Sequence, residues 1–331
     1  MNAVLIIDKP SGLTSHDVVN RLRRILGQRS IGHLGTLDPM ATGILPLVLG
    51  SFTRLAQFYT GSEKTYEGVI RFGFATDTYD AEGVPTTDPV PVEFSFDTLQ
   101  RLSVEFQGLI QQTPPPYSAK KIQGVPAYKL ARKHQEVDLK PVEVEIKEFI
   151  ITALEVDRAA FRARVASGTY MRSVAHDMGQ RLGCGAHLAD LRRTSVGEFD
   201  LTHAHTLEEI AECANNRDSS TLARSRSLPL RMTEPRRTEP GSADAIESGA
   251  FDSLCIHPRQ LLPQLPCVTA DELTAARIRN GRPINLPELS RARLVKVFAG
   301  QRDLIAIATR VAGTLFHPKI VFMDDKMLVQ S

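Results

Sequence analysis

A chain of 331 residues is long enough for two domains, and 42% hydrophobic with 24% charged residues is the composition of an ordinary globular protein, which excludes a disordered or fibrous one. A net charge of +2 excludes a uniformly basic protein, so any polyanion-binding surface has to come from local clustering. The four cysteines (Cys184, Cys213, Cys255, Cys267) have no C-x-x-C spacing and imply neither zinc nor a disulfide framework, no stretch approaches a membrane span, and the N-terminus has no basic leader; the expectation is a cytoplasmic protein with reduced thiols.

In chain order, residues 4–7 read as a short strand leading into a loop marked by Pro10 and Gly12. Thr14 and Asp17 form a capping-box-like pair, and Val18, Leu22, Ile25 and Leu26 recur at helical spacing up to Gly27. Three glycines and a proline between Gly32 and Gly43 rule out a regular helix there. Residues 44–49 read as a buried strand, with Pro46 the one feature against it. Tyr66, Gly68, Ile70, Phe72 and Phe74 alternate on one face of a strand. Residues 75–91 read as an irregular loop, 96–106 as a helix, and the prolines at 114–116 open an extended segment. Half-buried strands are expected over 142–147 and 161–165, the second ending at Ser167-Gly-Thr-Tyr-Met-Arg172, where a helix to Gly183 begins.

Thr206 and Glu209 cap a short helix ending near Ala214. Residues 215–250 are polar and aperiodic and read as a flexible linker or insertion. A helix opening at 269–272 and ending at 280–283, then strands over 295–298, 304–309 and 319–322, follow.

Two basic clusters interrupt the near-neutral chain. Between Tyr117 and Gln135, Lys120, Lys121, Lys129, Arg132 and Lys133 stand without an acid; between Arg158 and Arg193, seven arginines face only Asp177 and Asp190. Each alone is equally a solvated face, but two together favour a polyanionic partner. Asp38 is the single acid in the glycine loop, which makes it a candidate nucleophile or general base. The other reading of Asp38-Pro39 is an ordinary turn start or helix cap.

Gly32-His-Leu-Gly-Thr-Leu-Asp-Pro-Met-Ala-Thr-Gly43 resembles the catalytic motif of the TruB-type pseudouridine synthases, which modify the T-arm of tRNA. Asp8-Lys9-Pro10-x-Gly12-x-x-Ser15, Lys64-x-Tyr66, the run from Pro114 to Lys121, Ser167-Gly-Thr-Tyr-x-Arg172 and the stretch from Leu191 to Phe199 follow in that family's order. The resemblance implies Asp38 as the catalytic carboxylate, Arg172 as its ion-pair partner, Tyr66 against the target base and Leu191 lining the uracil pocket. It further implies Tyr170 in support, His33 on the RNA side, Lys9 beside the site as a substrate-binding residue able to pair with phosphate, and the lysines and arginines of a segment at about 113–135 gripping RNA. Read without it, Tyr66 and Leu191 are equally core residues, Arg172 a structural ion-pair partner, Lys9 a surface lysine and His33 a loop histidine.

The implied fold is α+β: a mixed, largely antiparallel sheet flanked by helices over residues 1–214, the linker 215–250, and a small β-rich domain of the PUA type over 251–331. The implied reaction turns uridine at tRNA position 55 into pseudouridine by flipping the base out, with no cofactor or metal, in a monomer that needs no membrane or protein partner. Arg172 beside Asp38 is expected to lower the carboxyl pKa and burial to raise it.

Overall fold

The computed structural model describes residues 1–118, 139–215, 251–287 and 291–323, together with the backbone of 121–122 and 125–126. The first strand, β1 (Ala3–Lys9), is apolar on both faces, and Val4, Leu5, Ile6 and Ile7 are all shut from solvent. Such a strand needs cover on two sides. Leu5 and Ile7 enter a core shared with the helices, whereas Val4 and Ile6 enter a second core on the opposite face.

The chain turns from β1 into α1 (Ser15–Leu26), whose start carries the expected reciprocal cap: Asp17 N donates to Thr14 Oγ1 and Thr14 N to Asp17 Oδ2, both at 3.0 Å. β2 (Ile31–His33) and β3 (Thr42–Leu49) bracket the glycine loop. Pro46 does not break β3. Its carbonyl accepts from Leu34 N at 2.9 Å, so its missing donor faces the same side, just beyond the end of β2, where no strand requires it.

A 3₁₀ turn and the short α2 (Ala56–Tyr59) lead to β4 (Lys64–Phe72). Then come α3 (Phe96–Glu105), β5 (Gly108–Gln112), a two-residue ribbon of β6 (Lys121–Ile122) and β7 (Val125–Pro126), β8 (Val142–Glu155) and β9 (Arg158–Val165). The helix α4 (Met171–Arg181) precedes β10 (Ala186–Val196), β11 (Phe199–Asp200) and β12 (Ala204–His205), and α5 spans 207–215. The main sheet runs β12-β1-β3-β10-β4-β9-β8-β5, with β2 on β3 and β11 on β10. Only β1/β12 and β3/β10 are parallel, so the sheet is mixed and largely antiparallel. The apolar faces of α1, α3, α4 and α5 cover one side of it.

The second sheet is built from β13 (Cys267–Ala270), β14 (Ile284–Asn285), β15 (Leu294–Ala299), β16 (Asp303–Ala312) and β17 (Leu315–Val321) in the order β13-β15-β16-β17-β14. α6 (Glu272–Arg279), capped by Asp271, packs on it. Phe298, Leu304, Ile307, Ile320 and Phe322 of this unit join Val4, Ile6, Ile44, Val48 and Phe52 of the main sheet in one continuous core. Tyr59 Oη donates to Glu198 Oε1 at 2.6 Å, and Leu262 N donates to the same oxygen at 3.0 Å, adding a polar tie across this junction.

Several expected boundaries move. The strand expected over 142–147 continues to Glu155, and the last expected strand begins at Leu315, not 319. β10 and β13 were not legible as strands. Residues 251–256, expected to open the C-terminal unit, instead lie along β1: Phe251 is buried in the main core and Ile256 N donates to Val4 O at 2.9 Å. Of the expected linker, residues 216–250 lie outside the described residues.

Candidate active site

The glycine loop is fixed from three directions before any functional side chain is considered. From the turn ahead of α1, Gly12 N donates to Pro39 O at 2.9 Å, Leu37 N donates to Ser15 Oγ at 2.8 Å, and Ser15 Oγ donates to Leu37 O at 3.1 Å. From β10, the buried Arg193 guanidinium donates to Ile44 O at 2.9 Å and to Thr36 O and Gly35 O at 3.1 Å each. Gly43 lets β3 and β10 meet: with φ +96°, any Cβ there would lie 2.2 Å from Arg193 O. The third support is Lys9.

Lys9 is fully buried, and its three N–H groups donate to Pro10 O at 2.8 Å, Leu13 O at 2.7 Å and Pro39 O at 3.1 Å. Burial draws its pKa down to about 8, with Asp38 and Glu82 opposing. This corrects both the surface reading and the substrate-binding expectation, because an ammonium whose three donors end on backbone carbonyls has none to offer a phosphate. Lys9→Met should lower the denaturant midpoint by an amount equivalent to about 2–4 kcal/mol, since three buried carbonyls lose their donor. It should leave the salt dependence of any polyanion binding, which counts phosphate contacts, unchanged.

Asp38 opens a tight turn, its carbonyl accepting from Ala41 N at 3.1 Å, so the turn reading of Asp38-Pro39 is correct and does not exclude a chemical role. Its carboxylate meets Arg172, with Nη2 donating to Oδ1 at 3.0 Å and Nε 3.0 Å from Oδ2. Arg172 sits in the first turn of α4, where the helix dipole disfavours a cation. Two carboxylates offset this. The second is Asp80, in the loop after β4, 3% exposed and 3.3 Å from Arg172 Nη1. Thr78 O and Tyr117 O accept from Nη1 and Nη2 at 3.3 and 3.0 Å.

Asp80 is itself held by Thr78 Oγ1 at 2.5 Å and Glu82 N at 3.1 Å. The proline run delivers Tyr117 because it is tied to α4: Gln112 brackets the Tyr170 backbone at 2.8 and 3.1 Å, and Ser173 Oγ donates to Thr113 O at 2.7 Å.

Burial raises the Asp38 pKa above the ordinary 3.8; Arg172 pulls it back, Asp80 pushes it further up, and Lys9 opposes weakly. About a third of the side chain still faces solvent, through the mouth of a cavity of about 240 Å³. Tyr66 from β4, Tyr170 and Arg172 around the start of α4, Leu191 from β10 and Lys64 line that cavity with Asp38. Tyr66 and Leu191 are both largely buried core residues and wall residues of the cavity, so a core position does not exclude a place in its wall.

His33 does not line this cavity. It faces a second one, of about 700 Å³, which Asp38 also lines, shared with His16, Asp80, Glu82 and Tyr117. Burial lowers the His33 pKa below 6.5, with Arg193 and His16 adding to the effect.

The site therefore unites Asp38, Arg172, Tyr66, Tyr170 and Leu191, sets His33 at a neighbouring cavity, and places Lys9 beneath it. Lys120, Lys129, Arg132 and Lys133 lie outside the described residues, and of Lys121 only the backbone is described. Sequence reading missed Asp80, Arg193 and Lys64. Asp80 is one of several acids in a polar loop, and Arg193 looked like part of a basic cluster. Lys64 was legible only as the first residue of the Lys64-x-Tyr66 motif, with no role of its own. Among the described residues no group of three or more His, Cys, Asp or Glu is arranged to hold a metal ion.

Comparison with known proteins bears out the family resemblance. A family model described as "TruB family pseudouridylate synthase (N terminal domain)" matches residues 23–171, and one described as "tRNA pseudouridylate synthase B C-terminal domain" matches residues 172–233. The tRNA pseudouridine synthase B of Solibacter usitatus is 46% identical over 324 residues, covering 97% of this chain and 100% of the relative. That of Aquifex aeolicus is 44% identical over 217 residues, covering 65% of this chain and 75% of the relative. A solved structure titled "Crystal Structure of a Cbf5-Nop10-Gar1 Complex" shares the fold, with a TM-score of 0.66 at 22% identity over 98% of this chain and 86% of that one. With both family models and a near full-length relative in agreement, the chain belongs to the TruB family of pseudouridylate synthases.

Proposed function

We propose that the protein isomerises uridine to pseudouridine in the T-loop of tRNA, at position 55, as an RNA-modifying isomerase without a cofactor. The observation that carries this reading is the meeting of Asp38, Arg172, Tyr66 and Leu191, distant in sequence, around one small cavity. The reaction breaks the N1–C1′ bond, turns the base and joins C5 to C1′. C5 gives up its proton, N1 takes one up and the bond formed by the attacking carboxylate is broken again, with no net redox change. Asp38 is the attacking carboxylate, directed at C6 of the base or C1′ of the sugar, and Arg172 holds it ionised and aimed. Tyr66 and Leu191 receive the flipped base, whose unstacking costs a few kcal/mol; stacking on an aromatic face returns about 1–3 kcal/mol. Tyr170 supports Arg172, and His33, at the adjoining cavity, meets the loop from which the base departs.

The same reading treats residues 1–214 as the catalytic part and the C-terminal sheet as a PUA-like RNA-binding unit, in a monomeric cytoplasmic enzyme. The relatives' names and the basic composition of 117–135 support tRNA as the partner.

The test is pseudouridine formation in an unmodified tRNA transcript, mapped by position. Product at the T-loop uridine is the expected result. Product at another uridine would keep the chemistry and overturn the substrate assignment, and tight binding without product would leave an RNA-binding protein only.

Asp80 gives a pH prediction with a definite sign. Its charge raises the Asp38 pKa, so Asp80→Asn should move the acid limb of the kcat profile to lower pH. The plateau should fall about 10-fold or more, because Arg172 loses one of its two anchoring carboxylates. An acid limb that stays in place would sink this account of Asp80.

A further inference from the structure

A nucleotide entering the cavity brings a phosphate with it, so a cation on the wall with donors to spare is the group to look for. Three cations line the cavity: Lys64, Arg172 and Arg193. Arg172 is held by two carboxylates and two carbonyls. Arg193, 1% exposed, spends one N–H of each of its three nitrogens on a loop carbonyl, so its two remaining N–H groups cannot turn to a phosphate without dismantling the loop. Lys64 differs. Its Nζ donates to one acceptor among the described residues, Ser62 O at 2.6 Å, which leaves two N–H groups.

Lys64 also stands between two openings. It lines the Asp38 cavity and a smaller one of about 270 Å³ with His33, Leu34, Tyr59 and Ser167. The side chain starts two residues before Tyr66 on the same strand, so it points to the same face of β4 as the ring proposed to stack on the base.

We infer that Lys64 binds a phosphodiester flanking the flipped uridine, and so positions the target nucleotide for Asp38. The inference rests on the function proposed above and adds a substrate contact to it. A lysine suits the task as a compact charge on a flexible stem, in a wall where both arginines are already committed to other partners. Its charge is also conditional: burial and the neighbouring Arg193 bring its pKa down to about 8. The charged and titratable groups that share its two cavities are Asp38, Arg172, Arg193, His33, Tyr59, Tyr66 and Tyr170.

The experiment compares wild type, Lys64→Met and Lys64→Arg on a tRNA transcript and on T-arm stem-loops carrying one uncharged methylphosphonate, placed 5′ or 3′ of the target uridine. Lys64→Met should raise KM roughly 10- to 100-fold, the range of one charge-assisted contact, with a smaller change in kcat. It should also flatten the slope of log affinity against log salt by about 1. Lys64→Arg should restore affinity and slope. One of the two methylphosphonates should weaken wild type by the same factor and have no further effect on Lys64→Met. Wild-type affinity should fall as pH rises through about 8, and Lys64→Arg, which keeps its charge, should lack that fall.

If Lys64→Met loses stability or kcat with an unchanged salt slope, or neither methylphosphonate is masked by it, Lys64 merely props the loop through Ser62 and the inference fails. A wild type that binds the transcript but forms no pseudouridine would instead overturn the proposed function, and the binding readouts would still judge Lys64.

Discussion

Asp38→Asn should abolish pseudouridine formation, a fall on the order of 10⁴-fold or more in the single-turnover rate, since no neutral amide replaces an attacking carboxylate. The fold should survive. The amide side chain keeps the shape of the turn at Pro39, and the substitution removes a desolvated charge while Asp80 still balances Arg172. The denaturant midpoint should therefore move by no more than the equivalent of about 1 kcal/mol, and tRNA affinity should hold. The pH profile of wild type carries the complementary signature. The carboxylate reacts only when ionised, and burial raises its pKa, so kcat should fall as pH drops through a value above 3.8. Turnover by Asp38→Asn within 10-fold of wild type would remove Asp38 from the mechanism.

Arg172→Met should be costly in both activity and stability. The substitution keeps most of the side-chain volume but leaves Asp38 and the buried Asp80 facing each other with no cation between them. Breaking a buried charge cluster from one side typically costs about 3–5 kcal/mol, partly relieved here because Asp38 can take up a proton. That proton would disable the nucleophile, so the rate at neutral pH should fall roughly 10³-fold. Arg172→Lys should recover little, because one ammonium cannot reach Asp38, Asp80, Thr78 O and Tyr117 O together. Equilibrium denaturation and single-turnover kinetics on the two variants measure both effects. Full recovery by lysine would show that charge alone, without the fork, suffices.

The sequence announced the parts of this site that depend on backbone chemistry. Three glycines around Asp38 and the glycine before Tyr170 mark places where the chain cannot run regularly, and both proved to wall the cavity. Helix boundaries were legible for the same reason: Thr14 with Asp17, and Gly27, are local devices that act within a few residues. β10 was hidden because register shifts between Leu188 and Asp190 and between Arg193 and Ser195 interrupt its alternation, and because its arginines find partners in other strands, Arg192 on Asp8 at 2.7 Å among them. Asp80 was hidden because burial is a property of the packed loop and leaves no mark on the sequence around it. Lys9 shows the converse: in sequence a buried lysine with three carbonyl partners is indistinguishable from a solvated one. The family resemblance supplied Asp38, Arg172, Tyr66 and Leu191, and geometry supplied how they are held.

The core that joins the two sheets has a consequence for how the protein is made. Asn2 Nδ2 donates to Met323 O at 3.1 Å across a separation of 321 residues, and the faces of β1 and β3 carrying Val4, Ile6, Ile44 and Val48 are covered by Phe298, Ile307, Ile320 and Phe322. On the ribosome those early strands emerge long before their cover exists. Until the last strands are translated, the nascent chain presents an adhesive apolar surface, and its completion waits on contacts of very high sequence separation. Docking of the C-terminal sheet, rather than completion of the catalytic sheet, is then the event that shields it from aggregation.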